Sequence, residues 1–554
     1  MWGFNPACTI WGTNTTWYLA QAKERGTRIV HVDPRLTESA ATLAHQWIPL
    51  RPGTDAALMM AVAYVMLDDN QHDQKFLDTY TVGFDKFREY ILGKEDGIPK
   101  TPVWAEPITG VPPSTIEALA RLYATTKPAA LLAGWGPGRS AAGEQYHRAA
   151  ITLTAMTGNI GVPGGGSGSL GQCPYPPEEV PLLPEGENPV ERGGQPQRNR
   201  LPSISGTYPV SASIHANDVF DAILKGKAGG YPGDLKLLYV TNRNLLNQIS
   251  NLNQGVRALK SLEFIVVHEQ FMTATAKFAD ILLPVNTGLE RDDICRPWLY
   301  TSLYHIYSNK AVDSLYESKS DFEICCELAP RLGVYNYSDK TEDQWLREIA
   351  KSIEGFGEYE EFKKKGVQRI HLSRPLVAFE EQIEDPDKNP FHTPSGKIEI
   401  YSQRLADMNN PQIPPIPKYV EHWENLNDPL VEKYPLQLIT PHPKRRAHSS
   451  FHNIPWLKEL EPHAIWINSV DAQARGIGEG DKARVFNDRG EMIIPAFVTE
   501  RIMPGIVSID QGAWFEPDEK GVDLGGCTNT LTREGHSPGG AFPCNTCLVE
   551  VRKG

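Results

Sequence analysis

The stretch Leu438–Asn453 reads LITPHPKRRAHSSFHN. Lys444, Arg445 and Arg446 stand there with His442, His448 and His452, directly after a short apolar run. The chain as a whole is acidic, with a formal net charge of −13 over 554 residues. A cationic loop in such a chain is either solvated surface or a site for an anion. The apolar run before it favours the anion slightly. The histidines are not spaced like a zinc site backed by carboxylates, so phosphate recognition is preferred to metal ligation. The same net charge argues against a nucleic-acid surface.

Four further loops suit a ligand. Gly3-Phe4-Asn5-Pro6 is a turn opening a helix. In Val32-Asp33-Pro34-Arg35 an acid follows a strand signal, where it can take ribose hydroxyls. Asp55 in Gly53-Thr54-Asp55 either accepts from a guanine edge or caps a helix. The fourth is GWGPGRSAAG, Gly134–Gly143, whose likeness to a dinucleotide glycine motif is weak alone. Each has a bland reading as a turn or cap. Together, at successive strand ends, they favour a nucleotide-bearing cofactor, since backbone N–H groups there meet phosphates. The acid lies farther from the first loop than the roughly 20 residues of the familiar NAD motif, so simple NAD binding fits poorly. No GxxxxGK[ST] motif occurs, which disfavours a P-loop enzyme.

Ser, His and acidic residues form no diagnostic triad or carboxylate pair, so a cofactor is expected to carry the chemistry. The eight cysteines include one CxxC, Cys544 and Cys547. A zinc ribbon needs a second pair and an iron–sulfur cluster four suitably spaced ligands, so ordinary thiols are expected.

The elements that must position these loops are α/β. TRIVHVDP, PAALLAGWGPG, LKLLYVTN, EFIVVHEQ and FADILLP read as short strands. Thr13–Arg25, the run after RPGTD, and GEQYHRAAITLTAMTGN read as helices. Strand–loop–helix units in series imply parallel sheets with helices on both faces. A Gly- and Pro-rich stretch fills 161–210, and a Pro-rich, charged one about 376–432. The last 120 or so residues carry six short strands: LQLIT, AIWIN, KARVFN, EMIIPAFVT, GIVSID and LVEV. They suggest a barrel. The expected fold is thus two doubly wound parallel-sheet lobes, 1–157 and 158–432, followed by a six-stranded β-barrel, 433–554. The longest apolar run, Ala56–Leu67, is too short for the roughly 20 residues of a spanning helix.

WGFNPACT, VDPR, RPGTD, GWGPGR, TNRNLLNQ, HEQFMTATAKFADILLP, TPSGKIEIYS, TPHPKRRAHS, INSVDAQARGIGEGDKARVFNDRG and GAWFEP…GCTNTLT occur in this order. As a set the sequence resembles the molybdopterin oxidoreductases of the dimethyl sulfoxide reductase family, most closely the anaerobic branch. The resemblance spans nearly the whole chain. It implies two molybdopterin guanine dinucleotides around one molybdenum or tungsten. By motif position, Phe4, Asn5, Pro6, Asp33, Gly53, Thr54 and Asp55 would serve one dinucleotide, with Trp135 and Arg139 on the pterin side. Asn247, Gln248, His268, Glu269, Arg291 and Asp321 would serve the other. Thr440, His442, Arg446, His448, Asn529 and Asn545 would hold pterin and phosphate groups from the barrel.

In the resembling branch a [4Fe–4S] domain and the protein ligand of the metal precede the WGxNP loop. That loop is residues 2–6 here, so the expectation is a fragment whose first lobe lacks its first strand, with no metal ligand or catalytic residue to assign. The implied reaction is oxygen-atom removal from dimethyl sulfoxide or a related S- or N-oxide. A sister oxidoreductase on selenate, tetrathionate, polysulfide or formate, and a non-catalytic binding fragment, are the alternatives. The implied partners are a ferredoxin-like iron–sulfur subunit and a quinol-oxidising membrane anchor. They would place the protein in the periplasm or on the outer face of the cytoplasmic membrane; a cytoplasmic location is the alternative.

Overall fold

The computed structural model describes residues 1–9, 14–168, 214–231, 233–295, 304–351, 357–369, 371 and 374–554. Most of the Gly- and Pro-rich stretch 161–210 lies outside these residues.

The first lobe is built on a narrow parallel sheet. Strand β1 (Val30–Val32) pairs in parallel with β2 (Gln46–Ile48). Trp2 makes parallel bridges to Val32 on one side and Ala133 on the other. Met1 and Trp2 therefore occupy the sheet position expected to be missing, and the strand read in PAALLAGWGPG contracts to the bridge at Ala133. The helix Asp55–Asp68 is buried along nearly its whole length, from Asp55 to Met66. Its apolar residues face neighbours on all sides, as a central helix must. Leu58, Met59, Met66, Tyr146, Leu153 and Ile116 form its core with the helices Glu144–Met156 and Pro113–Thr125.

The second lobe holds a parallel sheet of β4 (Leu237–Val240), β5 (Phe264–Glu269) and β6 (Ile281–Pro284), in the order β4-β5-β6. Phe220, Leu246, Leu259, Ile265 and Val267 pack its helices onto it. A small antiparallel sheet follows: β7 (Asp293–Cys295), β8 (Tyr304–Ser308) and β9 (Val367–Arg369). Sequence reading did not find this sheet.

The chain then returns to the first lobe. Strand β10 (Ile398–Glu399) pairs in parallel with Thr81–Val82, here β3. Ile398, Ile400 and Ile416 enter the first-lobe core. Arg148 Nη1 and Nη2 donate to the Pro414 and Pro415 carbonyls at 2.7 Å each. The sequence division at 432 groups this stretch with the second lobe, whereas in space it packs on the first.

The C-terminal domain is a closed barrel of β11 (Leu436–Ile439), β12 (Ile465–Ile467), β13 (Lys482–Asn487), β14 (Gly490–Val498), β15 (Ile506–Ile509) and β16 (Leu548–Lys553). Its order is β11-β15-β12-β14-β13-β16. Closure leaves no free sheet edge. Leu438, Ile465, Ile467, Val485, Ile509 and Val551 fill the interior. These six strands are the six read from the sequence. Among the described residues no helix is long and apolar enough to cross a membrane.

One ion pair fastens the stretch before the barrel to its wall. Arg489 holds Glu424 with two bonds of 2.8 Å, and Glu424 Oε2 also accepts from Leu548 N at 2.8 Å. Glu424 is 2% exposed. Removing one partner of a buried pair strands the other charge and costs about 3–5 kcal/mol. Arg489→Met should therefore lower the urea midpoint sharply. The double variant Glu424→Leu with Arg489→Met should regain part of the loss. Equal midpoints for wild type and Arg489→Met in urea titrations would exclude this role.

Candidate cofactor site

The ligand-suited loops converge because each sits at a strand end and glycines let the backbones meet. Gly3 N donates to Val32 O at 2.9 Å, and Gly134 N to Trp2 O at 2.7 Å. A Cβ on Gly134 would lie 1.9 Å from Gly3 O, so only glycine fits there. The Tyr146 hydroxyl donates to Trp2 O at 3.0 Å and closes the back of this turn.

In the first loop Phe4 and Pro6 are buried. Asn5 binds its neighbours: Nδ2 donates to Glu38 Oε2 at 3.0 Å, and Oδ1 accepts from Ser39 Oγ at 2.6 Å. Asp33 is half-buried and accepts from Arg35 N at 2.9 Å. Arg35 then reaches the barrel, with Nη1 donating to Ser508 Oγ at 3.2 Å and lying 3.9 Å from Asp510 Oδ1. Leu36 and Arg501 exchange backbone contact, N to O at 2.8 Å.

In the third loop Gly53 has φ +77°, and a Cβ there would meet His422 Nε2 at 2.4 Å. Thr54 precedes the helix and bonds the Arg51 carbonyl at 2.7 Å. Asp55 is buried, and its Oδ1 accepts from the Trp2 indole at 2.8 Å. Burial pushes its carboxyl up to about 7, against the lowering pull of that indole bond. Thr54, the residue before the helix, makes no side-chain cap.

Trp135 and Arg139 are half-buried, with Arg139 ending the turn Pro137–Arg139. Asn545 joins this turn to the barrel. Its Nδ2 donates to Gly136 O at 2.9 Å and its backbone N to Arg139 O at 3.0 Å. Its Oδ1 accepts from Thr440 N at 2.8 Å. The loop after Thr440 thus faces the first-lobe loops. His448 sits at φ +54°, admitted because Gly512 would otherwise place a Cβ 1.8 Å from His448 O. The His442 and His448 rings meet edge to face at 4.8 Å. Arg446 Nη2 donates to Gln511 O at 3.0 Å, while its buried Nε has no partner. The buried His452 Nδ1 also lacks one.

Crowding by protein lowers the histidines around this loop, with cationic neighbours adding to it. His442 falls to about 4, helped by His448 and Arg139; His463 to about 4, helped by Arg446; and His452 to about 3, helped by Lys458 and Arg446. They are neutral at pH 7, while the nearby arginines stay charged. Burial likewise raises the thiols of Cys8 and Cys547 to about 12, and that of Cys544 upward, so these are protonated.

The second lobe presents a separate group. Asn247 is buried, its Nδ2 donating to Ala513 O and its carbonyl accepting from Asn529 Nδ2 at 3.0 Å. Gln248 is exposed beside it. His268 lies between the Tyr239 hydroxyl at 2.6 Å and Asp321 Oδ1 at 2.7 Å. Glu269 turns back on Gln270 N at 2.8 Å. Arg291 and Asp321 line one cleft of about 1250 Å³ with Tyr335, Tyr337 and Trp345. The structure thus gathers the candidates into two groups, each at the carboxyl ends of a parallel sheet, where ligands of open α/β sheets bind. Sequence reading passed over Asp510, Gln511 and His463, which support the cationic loop. None stands in a motif, so no signal marked them. Asn244 and Thr275, which buttress Asn247, lie inside the quoted TNRN and HEQFMTAT runs and were within reach.

The Molybdopterin oxidoreductase family matches residues 1–331, and the Molydopterin dinucleotide binding domain matches residues 436–548. The chain belongs to the molybdopterin oxidoreductases, in their dimethyl sulfoxide reductase branch. It is 41% identical to dimethyl sulfoxide reductase DmsA of Escherichia coli K12, over the whole chain and 71% of that relative. It is 34% identical to a trimethylamine-N-oxide reductase of Haemophilus influenzae, again over the whole chain and 71% of the relative. Acetylene hydratase from Pelobacter acetylenicus shares the fold, with a TM-score of 0.73 at 22% identity, over 97% of this chain and 75% of that one. The chain is an oxidoreductase subunit with a molybdenum–molybdopterin guanine dinucleotide cofactor. The donors fit that group. The unpartnered, buried Arg446 Nε suits an anionic oxygen.

The lowered histidines set an acid limit on stability. Folded His463 binds its proton only near pH 4, whereas the unfolded side chain binds it near 6.5. Its contribution is complete above pH 6.5 and is lost as pH falls towards 4. In urea unfolding of the cofactor-free chain, His463→Gln should flatten the fall in midpoint between pH 7 and pH 5. Parallel curves for variant and wild type would remove His463 as a source of the acid sensitivity.

Proposed function

We propose that this chain is the catalytic unit of a reductase for small S- or N-oxides, such as dimethyl sulfoxide or trimethylamine N-oxide. The observation that carries the reading is the docking of the barrel domain onto the first-lobe loops, through Asn545 between Thr440 and Gly136 and through Arg35 at Ser508. It gathers cationic donors where a doubly anionic dinucleotide would need them. The named relatives act on such oxides. When bound, the cofactor supplies the metal and the two-electron chemistry.

The residues of this chain bind and orient. Arg35 and Arg446 are assigned to phosphate oxygens, since planar guanidinium forks match them, and Arg139 to the pterin side. Thr440, His442, His448 and Asn545 frame the pterin side, their imidazoles neutral and therefore able to accept as well as donate hydrogen bonds. Phe4, Asn5, Pro6, Asp33 and Gly53–Asp55, with Trp135, are assigned to the first dinucleotide. Asn247, Gln248, His268, Glu269, Arg291, Asp321 and Asn529 are assigned to the second. The first lobe is taken as 1–157 joined by the returning stretch near 383–416. The second is the remainder up to 432, and the barrel domain is 433–554. An iron–sulfur subunit and a quinol-oxidising anchor are the assigned electron source, with a [4Fe–4S] cluster outside these residues. They give the protein its place at the outer face of the cytoplasmic membrane.

Arg446→Met should lower the molybdenum and guanine content of protein expressed anaerobically by about tenfold or more, because it removes a charge-assisted contact at the cofactor. Metal analysis with nucleotide release by acid hydrolysis measures both. Wild-type protein that contains neither would overturn cofactor binding. Cofactor-loaded enzyme that oxidises reduced viologen with neither a sulfoxide nor an N-oxide would overturn the substrate class alone.

A further inference from the structure

A second cluster of donor side chains lies apart from the cofactor groups. His215, Asp218 and His536 each offer one ligand atom, and these atoms all lie within 4.8 Å of one another. His215 and Asp218 bracket the turn Ala216–Asp218, ahead of the helix Val219–Lys225. His536 comes from the barrel domain, after the turn Thr528–Thr530. Two segments remote in sequence thus meet at three donors.

Backbone bonds from both segments fix the geometry. Asn217 Nδ2 donates to Gly535 O, and Asn217 Oδ1 accepts from Ser250 N at 3.1 Å. His215 Nε2 faces Gly540 O at 2.9 Å. A carbonyl can only accept, so Nε2 carries the proton and Nδ1 keeps a lone pair. An imidazole that donates its far nitrogen to a backbone carbonyl is the usual outer arrangement of a metal-binding histidine. Nδ1 now accepts from Asn217 N at 3.2 Å, a long contact that a metal would replace.

The His215 and His536 rings lie face to face with centroids 4.2 Å apart, and His536 Nδ1 is 3.1 Å from Asp218 Oδ2. Asp218 is 8% exposed. A carboxylate so far removed from water needs a positive partner. An imidazolium can serve, but a divalent cation uses all three donors. Two imidazoles with one carboxylate select a borderline ion of the zinc class over calcium or magnesium, which prefer oxygen. Three protein ligands leave one position of a tetrahedron for water.

We propose that His215, Asp218 and His536 form a three-ligand site for a zinc-type divalent cation that pins the second lobe to the barrel domain. The full chain, stripped with chelator, is titrated with Co²⁺ at pH 7.5, then with Zn²⁺ in competition. One saturable set of visible Co²⁺ bands should appear and vanish on adding Zn²⁺. Asp218→Asn and His536→Gln should each weaken binding by about tenfold or more, and His72→Gln should leave it unchanged. Zn²⁺ should raise the melting temperature of wild type and of His72→Gln only. If His536→Gln does not fold, Asp218→Asn alone decides. Absent Co²⁺ bands, or bands that both ligand variants retain, would overturn the site and leave an imidazolium–carboxylate pair.

Discussion

The assembly depends on one asparagine whose side chain ties the barrel loop at Thr440 to the first-lobe turn at Gly136. Asn545 donates to Gly136 O and accepts from Thr440 N, while its own backbone N reaches Arg139 O. It stands just before β16, so the barrel wall carries it rigidly. With that clasp in place, the loop after Thr440 must face the glycine-rich turn of the first lobe. Arg35, Leu36 and Arg501 make the same join on the other flank. A few hydrogen bonds to backbone carbonyls set the register, because each carbonyl lies at the end of a core strand or in a turn packed against one.

The close approach of Gly3 and Gly134 has the same logic at shorter range. A Cβ on Gly134 would lie 1.9 Å from Gly3 O and one on Gly3 2.3 Å from Pro137 Cδ, so either would push the two turns apart. The parallel bridges at Trp2 bring both turns to one edge of the sheet, where backbone N–H groups are available. Trp2 also buries the Asp55 carboxyl. The acid read as a guanine partner is thus tied to the sheet first, and its ionisation is coupled to that tie.

Much of this was legible in the sequence where period and turn chemistry agree. All six barrel strands were readable, because apolar alternation and turns such as Asp488-Arg489-Gly490 mark them. The parallel strands β4, β5 and β6 were readable as short apolar runs ending in polar loops. The return of Ile398 to β3 was not. That stretch is Pro-rich and charged, and its two-residue strand carries no period; its pairing with β3 and the bonds from Tyr80 and Arg148 define its place. The antiparallel sheet β7–β9 was hidden because β7 and β9 have only three residues each and β9 lies far from its partner β8 in the chain. Asp510, Gln511 and His463 act through position alone, and residue type could not single them out.

Electrostatics then divides the labour inside the cationic loop. In a chain of charge −13, clustered arginines and histidines could in principle form one strongly positive patch. Crowding instead keeps His442, His452 and His463 neutral near pH 7. The positive charge falls to the guanidinium forks of Arg35, Arg139 and Arg446. Neutral imidazoles beside fixed cations give a surface that attracts anionic oxygens yet can accept as well as donate. On the proposed assignment, a pterin with donors and acceptors at its edge and phosphate at its end would find both kinds of partner here. That division explains why one short loop carries both arginine and histidine, where a run of lysines alone would supply only charge.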